Sequence, residues 1–117
     1  MAKQKQKYNA RKVSYNSMVF DSKKELKRYT ELSQLATVGK VFGLKTQVKY
    51  LLIPSQKMNG RVIERECSYI ADFVYQNENG ETVVEDVKGY RRGGAYSVFV
   101  IKRKLMLERY GIKVVEV

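Results

Sequence analysis

The chain has 117 residues, with 23 Lys+Arg against 12 Asp+Glu for a formal net charge of +11, one cysteine and no histidine. Its length suits one domain with a real core and is short for two, and its charge favours a polyanionic partner, nucleic acid ahead of an anionic membrane surface. The lone Cys67 and the lack of histidine exclude an internal disulfide, a Cys/His zinc cluster and histidine-dependent catalysis, and no apolar run approaches the roughly 18 residues of a spanning helix.

In chain order, residues 1–13 are polar and basic and read as a flexible arm, with Arg11 and Lys12 adding sequence-independent affinity for phosphate. No apolar segment of a signal peptide follows them, so the expectation is a soluble, intracellular protein whose residues 14–117 form a single domain. Residues 22–38 predict a helix that stops at Gly39. On a wheel of about 100° per residue, Leu26, Tyr29, Leu32, Leu35 and Ala36 make its apolar stripe, and Glu25 falls near the stripe's centre. "SKKE" also fits a capping box in which Ser22 caps the helix and Glu25 returns to its backbone amide. That role and a second one toward the interior are compatible.

"FGLKTQVKYLLIP" predicts a strand ending near Pro54, Asn59-Gly60 a turn, and "VIERECSYIADFVYQ" one long alternating strand. Within it Ile70, Asp72 and Val74 share one face and Tyr69, Ala71, Phe73 and Tyr75 the other. An aspartate inside a strand is costly unless it is paired, as with a lysine at a sheet edge, or holds a metal. "NENGE" turns the chain into "TVVEDVKGY", the third strand of an antiparallel meander. Alternation there puts Asp86 and Lys88 on one face and Glu85 on the other. A hairpin brings Asp72 beside the Asp86 to Lys88 segment, so Glu25, Asp72, Asp86 and Lys88 are expected to converge.

"GYRRGGAY" reads as a loop whose Arg91 and Arg92 suit backbone phosphate. "SVFVIKRKLMLERYG" predicts a second helix ending at Gly111, with Lys102 among Val98, Ile101, Leu105 and Met106 on the apolar stripe. Lys102 either snorkels from that stripe or reaches a phosphate at the site. Arg103 and Lys104 are expected to point away, Lys104 toward nucleic acid. "IKVVEV" closes the chain as a short strand, giving the order α-β-β-β-α-β.

Carboxylates without imidazole or thiolate suit Mg²⁺ or Mn²⁺. A metal held by Glu25, Asp72 and Asp86 beside Lys88 would serve phosphodiester hydrolysis. The motifs "FDSKKE", "YIADFVY", "VVEDVKG" and "IKRKLM" resemble the PD-(D/E)XK nuclease superfamily, which includes restriction endonucleases and archaeal-type Holliday junction resolvases. They resemble more closely a family of small phage and prophage proteins with a domain of unknown function, often described as Holliday-junction-resolvase-like. The resemblance runs from about Tyr15 to Val117.

It implies an α/β (α+β) fold with a restriction-endonuclease-like core, a mixed sheet flanked by helices. It also implies Asp72 and Asp86 as motif acids and metal ligands, Lys88 as the motif lysine, and Glu25 as a helix-borne acid. Ala71 stands where the name-giving proline would be, and Asp86 is the shorter acid where many members have glutamate. The implied protein is a Mg²⁺-dependent endonuclease on branched or duplex DNA, a homodimer without a small-molecule cofactor, encoded by a phage or prophage and acting in a bacterial cytoplasm. A non-catalytic nucleic-acid-binding module explains the charge equally well but leaves the converging acids without a reason, and RNA stays open as substrate.

Overall fold

Local chemistry sets the limits of the first helix. In the computed structural model, which describes residues 12–117, α1 spans Lys23–Thr37. Ser22 is its N-cap, the hydroxyl accepting from the Glu25 amide at 3.2 Å. The expected return bond of Glu25 goes one residue further out, its Oε2 accepting from the Asp21 amide at 3.4 Å. Before the helix stands a small hairpin absent from the sequence reading, β1 (Val13–Tyr15) and β2 (Met18–Phe20), joined by Asn16 and Ser17 at φ 51° and 64°. Two successive left-handed residues make the turn that suits a two-residue hairpin. The hairpin takes up Val13, the last residue of the expected arm; Lys12 precedes it, and residues 1–11, Arg11 among them, lie outside the described residues.

After α1 come β3 (Phe42–Ile53), a hairpin of β4 (Gln56–Met58) and β5 (Arg61–Glu64), then β6 (Cys67–Gln76) and β7 (Thr82–Asp86). Residues 62–76 are therefore two strands. β5 pairs only with β4, and the chain re-enters the main sheet at Cys67 beside Ile53, after a register shift between Leu51 and Ile53. α2 spans Gly94–Tyr110 and β8 Val115–Glu116. The second helix starts three residues before the expected Ser97, and Gly111 ends it at φ 66°, a left-handed C-cap.

The main sheet is mixed, in order β3-β6-β7-β8, with β3/β6 and β6/β7 antiparallel and β7/β8 parallel. With the two hairpins set aside, the elements run α1, β3, β6, β7, α2, β8. One core cluster joins Phe20, Leu32, Phe73 and Tyr75 with Leu26 and Tyr29 of α1. The other joins Leu52, Tyr69, Ala71 and Val84 with Phe99 and Met106 of α2. Each helix thus packs on its own cluster. Tyr69 and Ala71 serve the α2 cluster while Phe73 and Tyr75 serve that of α1, so these four residues do not share a face as strict alternation required. The alternation breaks at Asp72.

The inward face of α2 is the expected one only in part: Met106 and Leu105 pack on the core as expected. Phe99 and Met106 are buried, whereas Val98 and Ile101 are more than half exposed. Arg103, expected to point away, is half-buried and bonds Glu116 at 3.0 Å. The helix is apolar on several sides, and the aromatic contacts of Phe99 with Tyr69 and Tyr96, at 6.2 and 5.8 Å between centroids, fix its rotation. Among the described residues no helix is long and apolar enough to cross a membrane.

Candidate active site

Asp72 and Gln47 stand opposite each other between the paired residues Thr46/Phe73 and Val48/Ala71. Gln47 has φ 54°, a left-handed conformation uncommon for a non-glycine residue inside a strand. Its amide Nε2 donates to Asp72 Oδ1 at 3.3 Å and to Glu25 Oε1 at 3.0 Å, bridging sheet and helix. The other Asp72 oxygen accepts from the Val87 amide at 2.8 Å, just past the end of β7. The acid of β6 is thereby fastened to the backbone that carries Asp86.

Asp86 is buried. Its Oδ2 accepts from the Tyr69 hydroxyl at 2.7 Å, and its Oδ1 lies 3.0 Å from Lys88 Nζ. The Lys88 ammonium also sits 3.6 Å above the centroid of Phe99, a cation–π contact from α2. The Lys88 amide donates to the Val117 carbonyl at 2.9 Å, and its own carbonyl accepts from Lys24 Nζ. Glu85 is turned to the opposite face, where Arg28 Nε and Nη2 hold it at 2.7 and 2.6 Å and the Tyr75 hydroxyl donates at 2.5 Å. All of Glu85's acceptor capacity is directed at those partners, which leaves Asp86 as the acid of that strand facing Lys88.

Burial pushes the Glu25 carboxyl up to about 7, and the charges of Asp72, Asp21 and Asp86 add to the shift. Burial likewise takes Asp72 up to about 6, helped by Asp86 and opposed by the Val87 hydrogen bond. Glu25 therefore senses the charges of Asp72 and Asp86, and Asp72 senses that of Asp86. Asp21 belongs to the same field and went unrecognised in sequence, as did Gln47 and Lys24.

Because both carboxyls are held above their ordinary values, the folded protein binds protons that the unfolded chain has released, and its stability falls as pH rises from the ordinary carboxylate range toward 7. Glu25→Gln removes the Glu25 share of that penalty. In thermal denaturation with EDTA, the variant's melting temperature is expected to gain on wild type as pH is raised from about 5 to about 8. A gap that stays constant with pH would refute the raised protonation of buried Glu25.

The chain's sequence matches the model of the family described as protein of unknown function DUF1064 over residues 5–115. It belongs to the DUF1064 family. No curated protein and no solved structure matches it significantly.

In this DUF1064 protein the remaining expected residues lie around the cluster with different roles. Lys102 is half-buried on α2, three residues after Phe99, so it stands one turn along from the ring beneath Lys88. Arg91 is exposed and lies 3.4 Å from Glu116, while Arg92, Lys104 and Lys12 are exposed. Among the described residues no group of three or more Asp, Glu or Cys side chains is arranged to hold a metal as it stands. The acids' oxygens are instead engaged by the Gln47 amide, the Val87 amide, the Tyr69 hydroxyl and the Lys88 ammonium. The donor set itself fits a hard divalent cation: carboxylates from three elements, kept close against their mutual repulsion.

Proposed function

We propose that the protein is a metal-dependent DNA endonuclease, that the order α1, β3, β6, β7, α2, β8 is a restriction-endonuclease-like core, and that the substrate is branched DNA. One observation carries the reading. Glu25, Asp72 and Asp86, from a helix and two strands, meet beside Lys88, and the protonation of Glu25 and Asp72 is raised by burial and by neighbouring acids. A fold gains no stability from such a cluster on its own. A cation explains why it is kept.

Glu25, Asp72 and Asp86 would hold Mg²⁺ or Mn²⁺, which when bound supplies charge neutralisation at the phosphate and a more acidic water. The chain's own groups prepare the rest. Tyr69 fixes the Asp86 carboxylate and Val87 N–H fixes that of Asp72, so both acids are oriented before substrate arrives. Lys88, braced over Phe99, presents its ammonium to a non-bridging phosphate oxygen or to the attacking water. Water adds to phosphorus, one ester P–O bond breaks, and the products are a phosphate monoester and a hydroxyl. Lys102, Arg91, Arg92, Lys104 and the basic residues about Arg11 and Lys12 contribute phosphate contacts that carry no base specificity. A homodimer with two such sites suits paired incisions at a four-way junction.

The test is cleavage of four-way junction, flap, linear duplex and single-stranded DNA, with RNA counterparts, in Mg²⁺, Mn²⁺ or EDTA. Metal-dependent cutting is expected, with the junction preferred. Tight binding without cleavage of any substrate in either metal would replace the enzyme with a nucleic-acid-binding module.

A further inference from the structure

We infer that the Gln47 amide is a placeholder for the cation: it holds Glu25 and Asp72 together in the metal-free protein and gives way when a divalent ion enters. The inference rests on the proposed nuclease reading for the identity of the ligand, and on the geometry of Gln47 for everything else.

Three features of Gln47 point this way. Its backbone lies at φ 54° within the twelve-residue β3, a conformation that disfavours any residue with a Cβ and is uncommon inside a strand. Its side chain is exposed, so core packing does not dictate where the amide goes. Yet both protons of one –NH₂ group are spent on carboxylates from two different elements, at 3.0 and 3.3 Å. A left-handed backbone directly opposite Asp72 is what brings a side chain of this length between the two acids. Strain kept at such a place is accounted for by the task of the side chain it delivers.

An amide donor is a weak, neutral stand-in for a cation. It offers partial positive charge to the same two oxygens that a metal needs, and so it lowers the repulsion of the acid pair without neutralising it. A cation bridging the same two oxygens would take the place of the Gln47 nitrogen, 3.0 and 3.3 Å from them, so amide and metal compete for one position. Cation binding therefore includes the loss of two hydrogen bonds to charged acceptors, and Gln47 sets how much cation is required before the site is loaded.

Gln47→Gly tests this directly, because glycine accepts the left-handed backbone without strain and takes away the side chain that carries the amide. Mn²⁺ is titrated into metal-free wild type and variant, with binding followed by isothermal calorimetry and water-proton relaxation in the absence of DNA. The variant is expected to bind Mn²⁺ about tenfold more tightly, the scale of losing a competing hydrogen bond to a carboxylate. In ¹H–¹⁵N spectra of wild type, the Gln47 side-chain amide pair, assigned by its disappearance in the variant, should shift on titration with Mg²⁺. Equal or weaker Mn²⁺ binding by Gln47→Gly, or an amide pair unmoved at saturating Mg²⁺, overturns the inference and leaves the nuclease reading standing. Failure of both proteins to bind either ion removes the cation site itself and the inference with it.

Discussion

Replacing Asp86 with asparagine is expected to lower metal-dependent DNA cleavage by roughly 10³-fold or more, on the order of 4 kcal/mol of transition-state stabilisation, while DNA binding survives. Asparagine keeps the shape of the side chain and still accepts from the Tyr69 hydroxyl, 2.7 Å away, but no longer pairs with Lys88 Nζ. What disappears is one formal charge of the three expected to hold the cation. The same change removes a repulsive neighbour of both Glu25 and Asp72 and the ion-pair partner of Lys88, two effects of opposite sign on the stability of the metal-free variant. Lys88→Met separates the lysine's chemistry from its packing. The unbranched chain still covers Phe99, where Nζ now sits 3.6 Å from the ring centroid, but it offers no proton or charge to a phosphate. A loss of about 10²-fold in cleavage, with Mn²⁺ binding retained, is the expected result. Cleavage by Asp86→Asn within tenfold of wild type would remove Asp86 from the site.

Alternation, the helix wheel and the hairpin made the convergence of Glu25, Asp72, Asp86 and Lys88 readable in the sequence, and Gln47, which bridges two of them, was not. "SKKE" specifies its own cap, because Ser22 needs only the amide three residues on. "VVEDVKG" separates Glu85 from Asp86 by alternation alone, and the structure keeps them apart, one against Arg28 and one against Lys88. The place of Gln47 arises otherwise. Nothing in "LKTQVKY" announces a left-handed residue, and its two partners are 22 and 25 residues away, so neither propensity nor periodicity could find it.

The break in alternation at Asp72 has the same origin: Tyr69 and Ala71 pack toward α2 and Phe73 and Tyr75 toward α1, a consequence of where two helices dock. α2 misled for a third reason. Its apolar residues occur on more than one side: of the stripe offered by spacing, Met106 and Leu105 pack inward but Val98 and Ile101 face solvent, and Phe99, outside that stripe, is buried. The first hairpin did leave a signal, Asn16-Ser17 between "VSY" and "MVF", which a search for short turns would have caught.

Arg28→Ala is expected to destabilise the protein by about 3–5 kcal/mol, the largest effect on stability of any substitution near the site. Glu85 is 1% exposed, and Arg28 supplies both of its charge-assisted hydrogen bonds, at 2.7 and 2.6 Å. The bond to Glu85 holds the guanidinium well above its ordinary range, and the partly buried Tyr75 hydroxyl is pushed up to about 12 by desolvation and by the same carboxylate. Without Arg28 the carboxylate keeps only Tyr75, and a buried, nearly unpaired charge remains between α1 and the sheet. For a chain of this length the melting temperature should fall by about 10 °C or more.

The pair is nonetheless not a net source of stability by itself, because two charged groups were desolvated to make it. Arg28→Met combined with Glu85→Leu should therefore recover most of the loss, and a double variant as unstable as Arg28→Ala would assign the effect to packing instead. Glu85 lies beside Asp86 in β7, and Arg28 lies one turn beyond Glu25 in α1. The ion pair therefore clamps together the two elements that present the candidate ligands. Near-wild-type stability with weakened Mn²⁺ binding in the double variant is the outcome that separates this clamp from a merely stabilising contact.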